Sequence, residues 1–251
     1  MSRIMDLIEK KINLGQNVLI TVVGDSVTYG IYKAAINETY CAVLAQRLGG
    51  RFPDTQVVRY DGKMSGDSMP LAGYEEAIVV NKGNKGKITV VKCGVGGDTV
   101  RRALNRKEDY IGSFITGETT DIYMLMFGIN DSLKDDASKY VSPQKFLEDL
   151  KELTSLLNRT NPNAEIVLLT PTYGDDGTSK ISCLEPYVEN MKILADEKNY
   201  MLIDTHELWM KHLVIGGENC GQGDWLADDP WHFAPAGGIA TGNYIFEELN
   251  K

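Results

Sequence analysis

A serine follows the first apolar run of the chain, in the stretch VVGDSVTYG at residues 22–30. The apolar residues before it predict a buried strand, and Gly24 and Asp25 predict a turn that leads into a helix. A serine at the C-terminal end of a central parallel strand lies where sheet enzymes keep their nucleophiles. The alternative is a plain turn, in which Asp25 and Ser26 only cap the helix that follows.

Two more polar turns follow later apolar runs. The sequence CGVGGDT, residues 93–99, comes after the run 88–92, and GIND, residues 128–131, comes after the run 122–127. Because parallel strands bring their C-terminal ends to one edge of a sheet, the three turns predict a single cleft. The glycine-rich turn does not fit a dinucleotide-binding fingerprint, since Thr99 occupies the third glycine position.

The sequence contains three histidines, and one of them has an aspartate at a useful spacing. Asp229 precedes His232 by three residues, with a proline between them that stiffens the turn. This spacing can bring the carboxylate to Nδ1 of the imidazole and leave Nε2 facing a nucleophile. His206 and His212 fall in a predicted helix, which favours a structural or solvent-facing role for both.

Taken in order, GDSV, GVGGDT, FGINDS and DDPWH resemble the four sequence blocks of the SGNH, or GDSL-type, serine hydrolases. The resemblance covers residues 18–246, in strand order as well as in motifs. It implies that Ser26 is the nucleophile, that His232 is the general base and acid, and that Asp229 orients the imidazole. It implies ester hydrolysis through an acyl-enzyme intermediate, with no metal or organic cofactor.

The same resemblance implies an oxyanion hole with three donors. These are the backbone amide of Ser26, the backbone amide of Gly97 and the side-chain amide of Asn130. Gly97 is preferred to its neighbour Gly96 because GDT follows the second block's glycine.

The chain departs from the family pattern at two points. Val27 follows the serine where the family usually has leucine, which is a mild apolar exchange. Lys92 and Cys93 stand where the family often has an asparagine, and this leaves the hydrogen bonding beside the second block open.

The elements that must position these residues follow from hydrophobic periodicity. Helices are predicted at 39–48, 143–158 after Ser142, 185–198 and 235–249, and buried strands at 18–23, 88–92, 122–127, 166–170 and 201–204. This alternation predicts a three-layer α/β/α sandwich with a five-stranded, mainly parallel sheet, the flavodoxin-like fold that the resemblance also implies. We expect a single domain over residues 1–251, with an inserted hairpin or irregular excursion at about 56–87.

The composition of the chain restricts the classes of molecule that it could bind. The formal net charge is −9 and the basic residues are scattered, which argues against nucleic acid or an anionic membrane as a partner. The four cysteines are far apart and predict free thiols. The first residues predict a short amphipathic helix rather than a signal peptide, and no apolar run is long enough to span a bilayer, so a cytoplasmic location is expected.

The substrate is less sharply indicated. A small-molecule ester is expected, with preference for a short acyl group on an acetylated carbohydrate. Asp25, Tyr29 and Trp231 are the candidate substrate-binding residues, and the other aromatic candidates for the rim of the cleft are Tyr32, Tyr173 and Trp225. Sugar stacking or plain packing would suit all five aromatic residues equally well.

Three alternatives stay open at this point. One is a lysophospholipase or thioesterase that acts on lipid acyl groups. Another is a non-catalytic glycan-binding protein. A third is a metal-dependent phosphoesterase, whose candidate ligands are Asp25, Asp131, Asp228, Asp229 and His232.

Overall fold

The structure is a computed structural model that describes residues 2–30, 37–64, 71–111, 119–173, 184–215, 218–219, 225–227 and 231–251. The helices are α1 (Arg3–Asn13), α2 (Ser26–Tyr29), α3 (Tyr40–Arg51), α4 (Val100–Asn105), α5 (Pro143–Thr160), α6 (Glu185–Lys198), α7 (Thr205–Leu213) and α8 (Pro235–Leu249). The strands are β1 (Val18–Gly24), β2 (Gln56–Met64), β3 (Leu71–Tyr74), β4 (Ile78–Lys82), β5 (Lys87–Gly94), β6 (Ile122–Met126), β7 (Glu165–Leu169), β8 (Met201–Ile203), β9 (Val214–Ile215) and β10 (Glu218–Asn219).

β1 lies at the centre of a mainly parallel sheet, between β5 and β6. From one edge to the other the parallel strands are β2, β5, β1, β6, β7 and β8. β3 and β4 both pair antiparallel with the outer side of β2. This arrangement confirms the α/β fold with a mainly parallel sheet, and it adds β2 to the five parallel strands that the sequence predicts.

Each face of the sheet is covered by helices. The apolar residues of α1, α3, α7 and α8 pack on one face, and those of α4, α5 and α6 pack on the other. Successive side chains of a strand point to opposite faces, so Ile20 and Val22 of β1 join the first core while Leu19 and Val23 join the second. A strand buried on both faces must be apolar throughout, which is why β1 and β6 read as continuous apolar runs.

The helix boundaries follow local signals. α6 and α8 have the predicted bounds, and both carry proline in the first turn, where its missing N–H costs nothing. α5 begins after Ser142, whose side chain accepts a hydrogen bond from the Lys145 N–H at 3.2 Å. α3 continues to Arg51, three residues beyond the predicted end at residue 48.

The segment 56–87 is more regular than the sequence suggests. β2 pairs with β5 in parallel register from Gln56, opposite Lys87, to Asp61, opposite Lys92. Arg59 and Asp61 interrupt its apolar pattern, yet both side chains are buried and Arg59 Nη2 donates to Asp61 Oδ2 at 3.0 Å. The ion pair lets a charged segment form a buried strand.

The sequence also predicts free cysteine thiols and no membrane-spanning segment. Cys41 and Cys93 are buried free thiols, whereas Cys183 and Cys220 lie outside the described residues. Among the helices of the described ranges, none is both long enough and apolar enough to cross a bilayer.

Candidate active site

The serine turn, residues 24–30, is the segment in which β1 ends and α2 begins. Asp25 has an extended backbone, and its side chain caps α2 by accepting a hydrogen bond from the Val27 N–H at 2.9 Å. A side chain at Gly24 would clash, since a Cβ there would lie 2.1 Å from Thr28 Oγ1. The turn therefore presents Ser26 at a closely defined position on the carboxyl edge of the sheet.

Ser26 and His232 meet at this edge although 206 residues separate them in the sequence. Ser26 Oγ lies 2.8 Å from His232 Nε2, and the two residues are 8% and 7% exposed. A serine hydroxyl that is hydrogen-bonded to an imidazole can pass its proton to the ring as it attacks a carbonyl carbon. Asp229, predicted to orient the ring, lies outside the described residues, as does Asp228.

The chain around His232 is held by main-chain and aromatic contacts. The Ala227 N–H donates to the His232 carbonyl at 2.8 Å, and Leu226 and Phe233 form an antiparallel bridge. The Phe233 ring stacks on Trp209 of α7, with ring centroids 4.6 Å apart. Because Trp209 is fully buried, these contacts tie the position of His232 to the core.

Asp25 joins the serine turn to Asn130, which begins a short 3₁₀ helix (Asn130–Ser132) after β6. Asp25 Oδ2 accepts a hydrogen bond from Asn130 Nδ2 at 3.2 Å, while Oδ1 accepts from Val27. A side-chain amide has two N–H donors, so Asp25 orients Asn130 with one of them. The expectation that Asp25 contacts substrate gains no support here, because Asp25 is 2% exposed and both oxygens bond within the protein.

Asp25, Asp98 and Asp131 are buried carboxyl groups behind this edge. Burial raises the pKa of Asp25 to about 7, and the nearby Asp98 adds to the increase. Burial also raises the pKa of Asp98 to about 6, although the Arg106 guanidinium opposes the change. The pKa of Asp131 lies well above its usual value for the same reason, and Asp131 Oδ1 accepts the Val100 N–H at 3.1 Å, so it braces the start of α4.

The glycine-rich turn after β5 lies beside the serine turn. The Val95 N–H donates to the Gly24 carbonyl at 3.0 Å, which keeps the ends of β5 and β1 adjacent. Gly97 has a φ of +71°, in the region that favours glycine, and its carbonyl accepts a hydrogen bond from Arg102 at 3.1 Å. Whether Gly97 or Gly96 supplies an oxyanion donor stays a prediction, and the left-handed backbone explains why glycine stands at position 97.

Arg106 is a cation whose side chain is only 9% exposed, and the sequence patterns did not indicate it. Its Nε donates to Asp98 Oδ2 at 2.7 Å, and its Nη2 donates to the Cys93 carbonyl at 3.0 Å and to the Gly24 carbonyl at 3.4 Å. These carbonyls lie at the ends of β5 and β1, so Arg106 links the two strand ends behind Ser26. The segment RRALNRKED around it is typical of a solvent-exposed helix, which hides a buried arginine from sequence reasoning.

The aromatic candidates for the rim of the cleft differ in how exposed their rings are. Trp231 is half-buried and lies edge-on to the adjacent His232 ring, with centroids 6.4 Å apart, and Tyr29 is partly exposed in α2. Trp225 is stacked on His212 at 3.6 Å, so that ring face is already covered. Tyr173 packs half-buried against the core, and Tyr32 lies outside the described residues.

The metal alternative receives no support from the described part of the chain. No three His, Cys, Asp or Glu side chains in those ranges are grouped to hold an ion. Both carboxylate oxygens of Asp25 accept hydrogen bonds within the protein, one from the Val27 N–H and the other from Asn130 Nδ2. Asp228 and Asp229, which the alternative also names, fall outside those ranges.

A three-layer α/β sandwich with a serine–histidine pair at the carboxyl edge of its sheet is the architecture of an acyl-transfer hydrolase. The family model of the GDSL-like lipases/acylhydrolases matches residues 66–238, which is more than half of the chain. The chain therefore belongs to the GDSL-like lipase/acylhydrolase family, a group of carboxylic ester hydrolases. The matched range begins after the serine turn, so it does not include Ser26. A search among curated proteins finds no matching sequence.

Solved structures of similar fold extend over almost the whole chain. An α/β hydrolase enzyme from the metagenome of Lake Arreo, Spain, is 20% identical with a TM-score of 0.65, covering 93% of this chain and 95% of that one. An acetylxylan esterase from Geobacillus stearothermophilus, solved as a catalytic mutant, is 21% identical with a TM-score of 0.63, covering 94% and 95%. A peptidoglycan O-acetylesterase is 14% identical with a TM-score of 0.68, covering 99% and 95%. At these identities the likeness shows the fold.

Proposed function

We propose that the protein is a serine esterase that removes small acyl groups, acetyl above all, from carbohydrates. The observation that carries the proposal is the 2.8 Å hydrogen bond between Ser26 Oγ and His232 Nε2 at the carboxyl edge of the sheet. Asn130 is tied to the same turn through its hydrogen bond to Asp25, which supports a role for its side-chain amide as an oxyanion donor.

In the proposed acylation step Ser26 Oγ attacks the ester carbonyl carbon, and His232 Nε2 takes the hydroxyl proton. The carbonyl oxygen becomes an oxyanion that accepts hydrogen bonds from the second side-chain N–H of Asn130 and from the amides of Ser26 and Gly97. Donors fixed in advance in this way are each worth about 3 kcal/mol of the barrier. The protonated His232 then gives its proton to the departing alcohol, and Asp229 stabilises the charged imidazole.

In the deacylation step a water molecule replaces the alcohol. His232 takes a proton from the water as it attacks the acyl-enzyme carbonyl, and the same three donors hold the second oxyanion. Collapse of that intermediate releases the carboxylic acid and returns the proton to Ser26. The scheme uses only the chain's own groups and water.

Three observations favour a short acyl group on a sugar. Ser26 and His232 are each less than a tenth exposed, which suits a small acyl group better than a long chain. Structural neighbours at about 20% identity include an acetylxylan esterase, and a further neighbour is an esterase active on acetylated mannans. Trp231, next to His232, offers an aromatic surface of the kind on which sugar rings stack.

The first experiment compares hydrolysis of p-nitrophenyl acetate, butyrate and octanoate by the wild type, Ser26→Ala and His232→Ala. We expect the acetate ester to be the best substrate and each variant to lose at least about 1,000-fold in kcat. His206→Ala is the matched control, since His206 is similarly buried but bonds to the Thr172 carbonyl instead of Ser26. Acetate release from acetylated xylo-oligosaccharides and mannans then tests the sugar preference.

The same experiment separates the alternatives. Rates that rise with acyl length would indicate a lipid acyl hydrolase of the lysophospholipase or thioesterase kind. Chelator-sensitive activity that survives Ser26→Ala would point to metal-dependent phosphoester chemistry and overturn the proposal. Glycan binding without acetate release by the wild type would overturn it in favour of a binding protein.

A further inference from the structure

A buried cluster of charges lies one strand away from the serine turn. It consists of Arg59 and Asp61 on β2 and Lys92 on β5, which are 1%, 3% and 4% exposed. Asp61 and Lys92 stand directly opposite each other in the parallel register, and Lys92 Nζ lies 3.7 Å from Asp61 Oδ1. Arg59 Nη2 donates to the other carboxylate oxygen of Asp61 at 3.0 Å. Asp61 therefore holds two cations at once.

Lys92 reaches from this cluster to the end of α2. Its Nζ donates to the Tyr29 carbonyl at 2.8 Å and lies 5.3 Å from the centroid of the Tyr29 ring. Tyr29 is the last residue of the helix that Ser26 begins, and Gly30 after it has a φ of +85°. The last carbonyls of a helix have no partner within the helix, and a lysine ammonium satisfies both their hydrogen bonding and the negative end of the helix dipole.

We propose that Lys92 is a positioning residue for Ser26, held in place by Asp61. The proposal rests on the proposed function, in which Ser26 is the nucleophile. α2 is only four residues long, so its own hydrogen bonds cannot hold it rigid. Asp25 secures the first turn through the Val27 N–H, and Lys92 secures the last carbonyl. With both ends held, Ser26 Oγ keeps its direction toward His232.

The energetics of the cluster agree with a positional role. Taking charges out of water is costly, and burial lowers the pKa of Lys92, although Asp61 opposes that change. An apolar side chain of similar size would fill the same space without this cost, so the ammonium contributes geometry more than stability. The cluster also gives β2 a connection to the site, through Asp61 and Lys92 to the serine turn.

The test compares Lys92→Met with the matched control Lys11→Met. Lys11 Nζ pairs with Asp121 at 2.6 Å at the opposite end of the sheet, so its loss removes a lysine–aspartate pair far from Ser26. Three quantities are measured well below each Tm: kcat and KM for p-nitrophenyl acetate, and the second-order rate at which a fluorophosphonate labels Ser26. For Lys92→Met we expect kcat and the labelling rate to fall together by about 10- to 100-fold with KM nearly unchanged, because small misplacements of a reacting group cost that much.

Lys11→Met should keep both rates within about twofold of wild type even where its Tm falls. Lys92→Met rates equal to those of Lys11→Met would overturn the proposal and leave Lys92 a purely structural residue. If Lys92→Met does not fold, Asp61→Asn keeps the lysine and removes its anchor, and we expect a roughly three- to tenfold fall in both rates; unchanged rates there would also overturn it. A wild type that is neither labelled nor active would instead contradict the proposed function itself.

Discussion

The two ends of the parallel sheet differ in how far their charged groups are shielded from water. At the amino end, Asp121 precedes β6, pairs with Lys11 of α1 at 2.6 Å and accepts the Leu19 N–H at 2.9 Å. At the carboxyl end, Asp25 and Asp131 are buried with raised pKa values and accept hydrogen bonds from uncharged N–H groups, while Asp98 binds Arg106. Charged pairs join elements at both ends, and the carboxyl end also keeps carboxyl groups where ionisation is costly.

This difference shows which end of the sheet holds its charged groups at a cost to stability. The Lys11 and Asp121 side chains are about a quarter and a fifth exposed, so water shares the cost of holding them together. At the carboxyl end the acids are shielded from water, and their oxygens orient backbone and side-chain N–H groups around Ser26. Perturbed acids of this kind are typical of functional sites, where activity is gained at the expense of stability.

Of the variants that probe this comparison, the largest effect on activity is expected from Asn130→Ala, which tests the carboxyl end of the sheet. We expect kcat for the acetate ester to fall by about 100- to 1,000-fold with little change in KM, because an oxyanion donor acts mainly in the transition state. Asn158→Ala is the control, since Asn158 Nδ2 donates to the hydroxyl of Tyr200, which directly precedes β8 at the amino end of the sheet, at 2.6 Å. A loss of less than about fivefold in Asn130→Ala would remove Asn130 from the proposed oxyanion hole.

Much of this site could be predicted from sequence because each signal was local. Ser26 and Asn130 stand in turns at the ends of apolar runs, and parallel strands must bring such turns together. The sequence could not show how the groups would be held. Asp25 was expected at the substrate, but its carboxylate bonds inward to Val27 and Asn130, a contact between residues 105 positions apart.

The elements that were missed share a physical cause. Arg59 and Asp61 make β2 look like a solvated excursion, and Lys92 looks like a departure from the family pattern. In the fold these charges satisfy one another, which depends on the register of β2 against β5 rather than on any local pattern. Buried charge that is paired across strands cannot be distinguished from surface charge in a single sequence.

Asp25→Asn tests the carboxyl end of the sheet through the pH dependence of the free energy of unfolding. The folded pKa of about 7 exceeds the ordinary value of 3.8, so the stability that this group contributes is complete below pH 3.8 and is lost as the pH rises through 7. The shift corresponds to roughly 3–5 kcal/mol at pH 8, which the neutral asparagine avoids. In urea unfolding, the free energy of unfolding of the variant relative to that of the wild type should therefore be higher at pH 8 than at pH 5.

The same variant should lose activity. Asparagine can still accept the Val27 N–H, but it turns an amide donor toward Asn130, so Asn130 loses its anchor and kcat should fall by about 10-fold. A stability difference between variant and wild type that is equal at both pH values would mean that Asp25 does not carry the buried negative charge described here.

Asp121→Ala should have the smallest effect on activity, and it tests the amino end. Losing the Lys11 pair and the bond from the Leu19 N–H should cost about 1–3 kcal/mol in urea unfolding, while kcat stays within about twofold of wild type. β1 has seven residues, so the two ends of the sheet lie roughly 20 Å apart. At that separation the stability effects of Asp121→Ala and Asp25→Asn should add within about 0.5 kcal/mol in the double variant. A lowered kcat in Asp121→Ala alone would show that the charges at the amino end also hold Ser26 in place, and the division between the two ends would then be wrong.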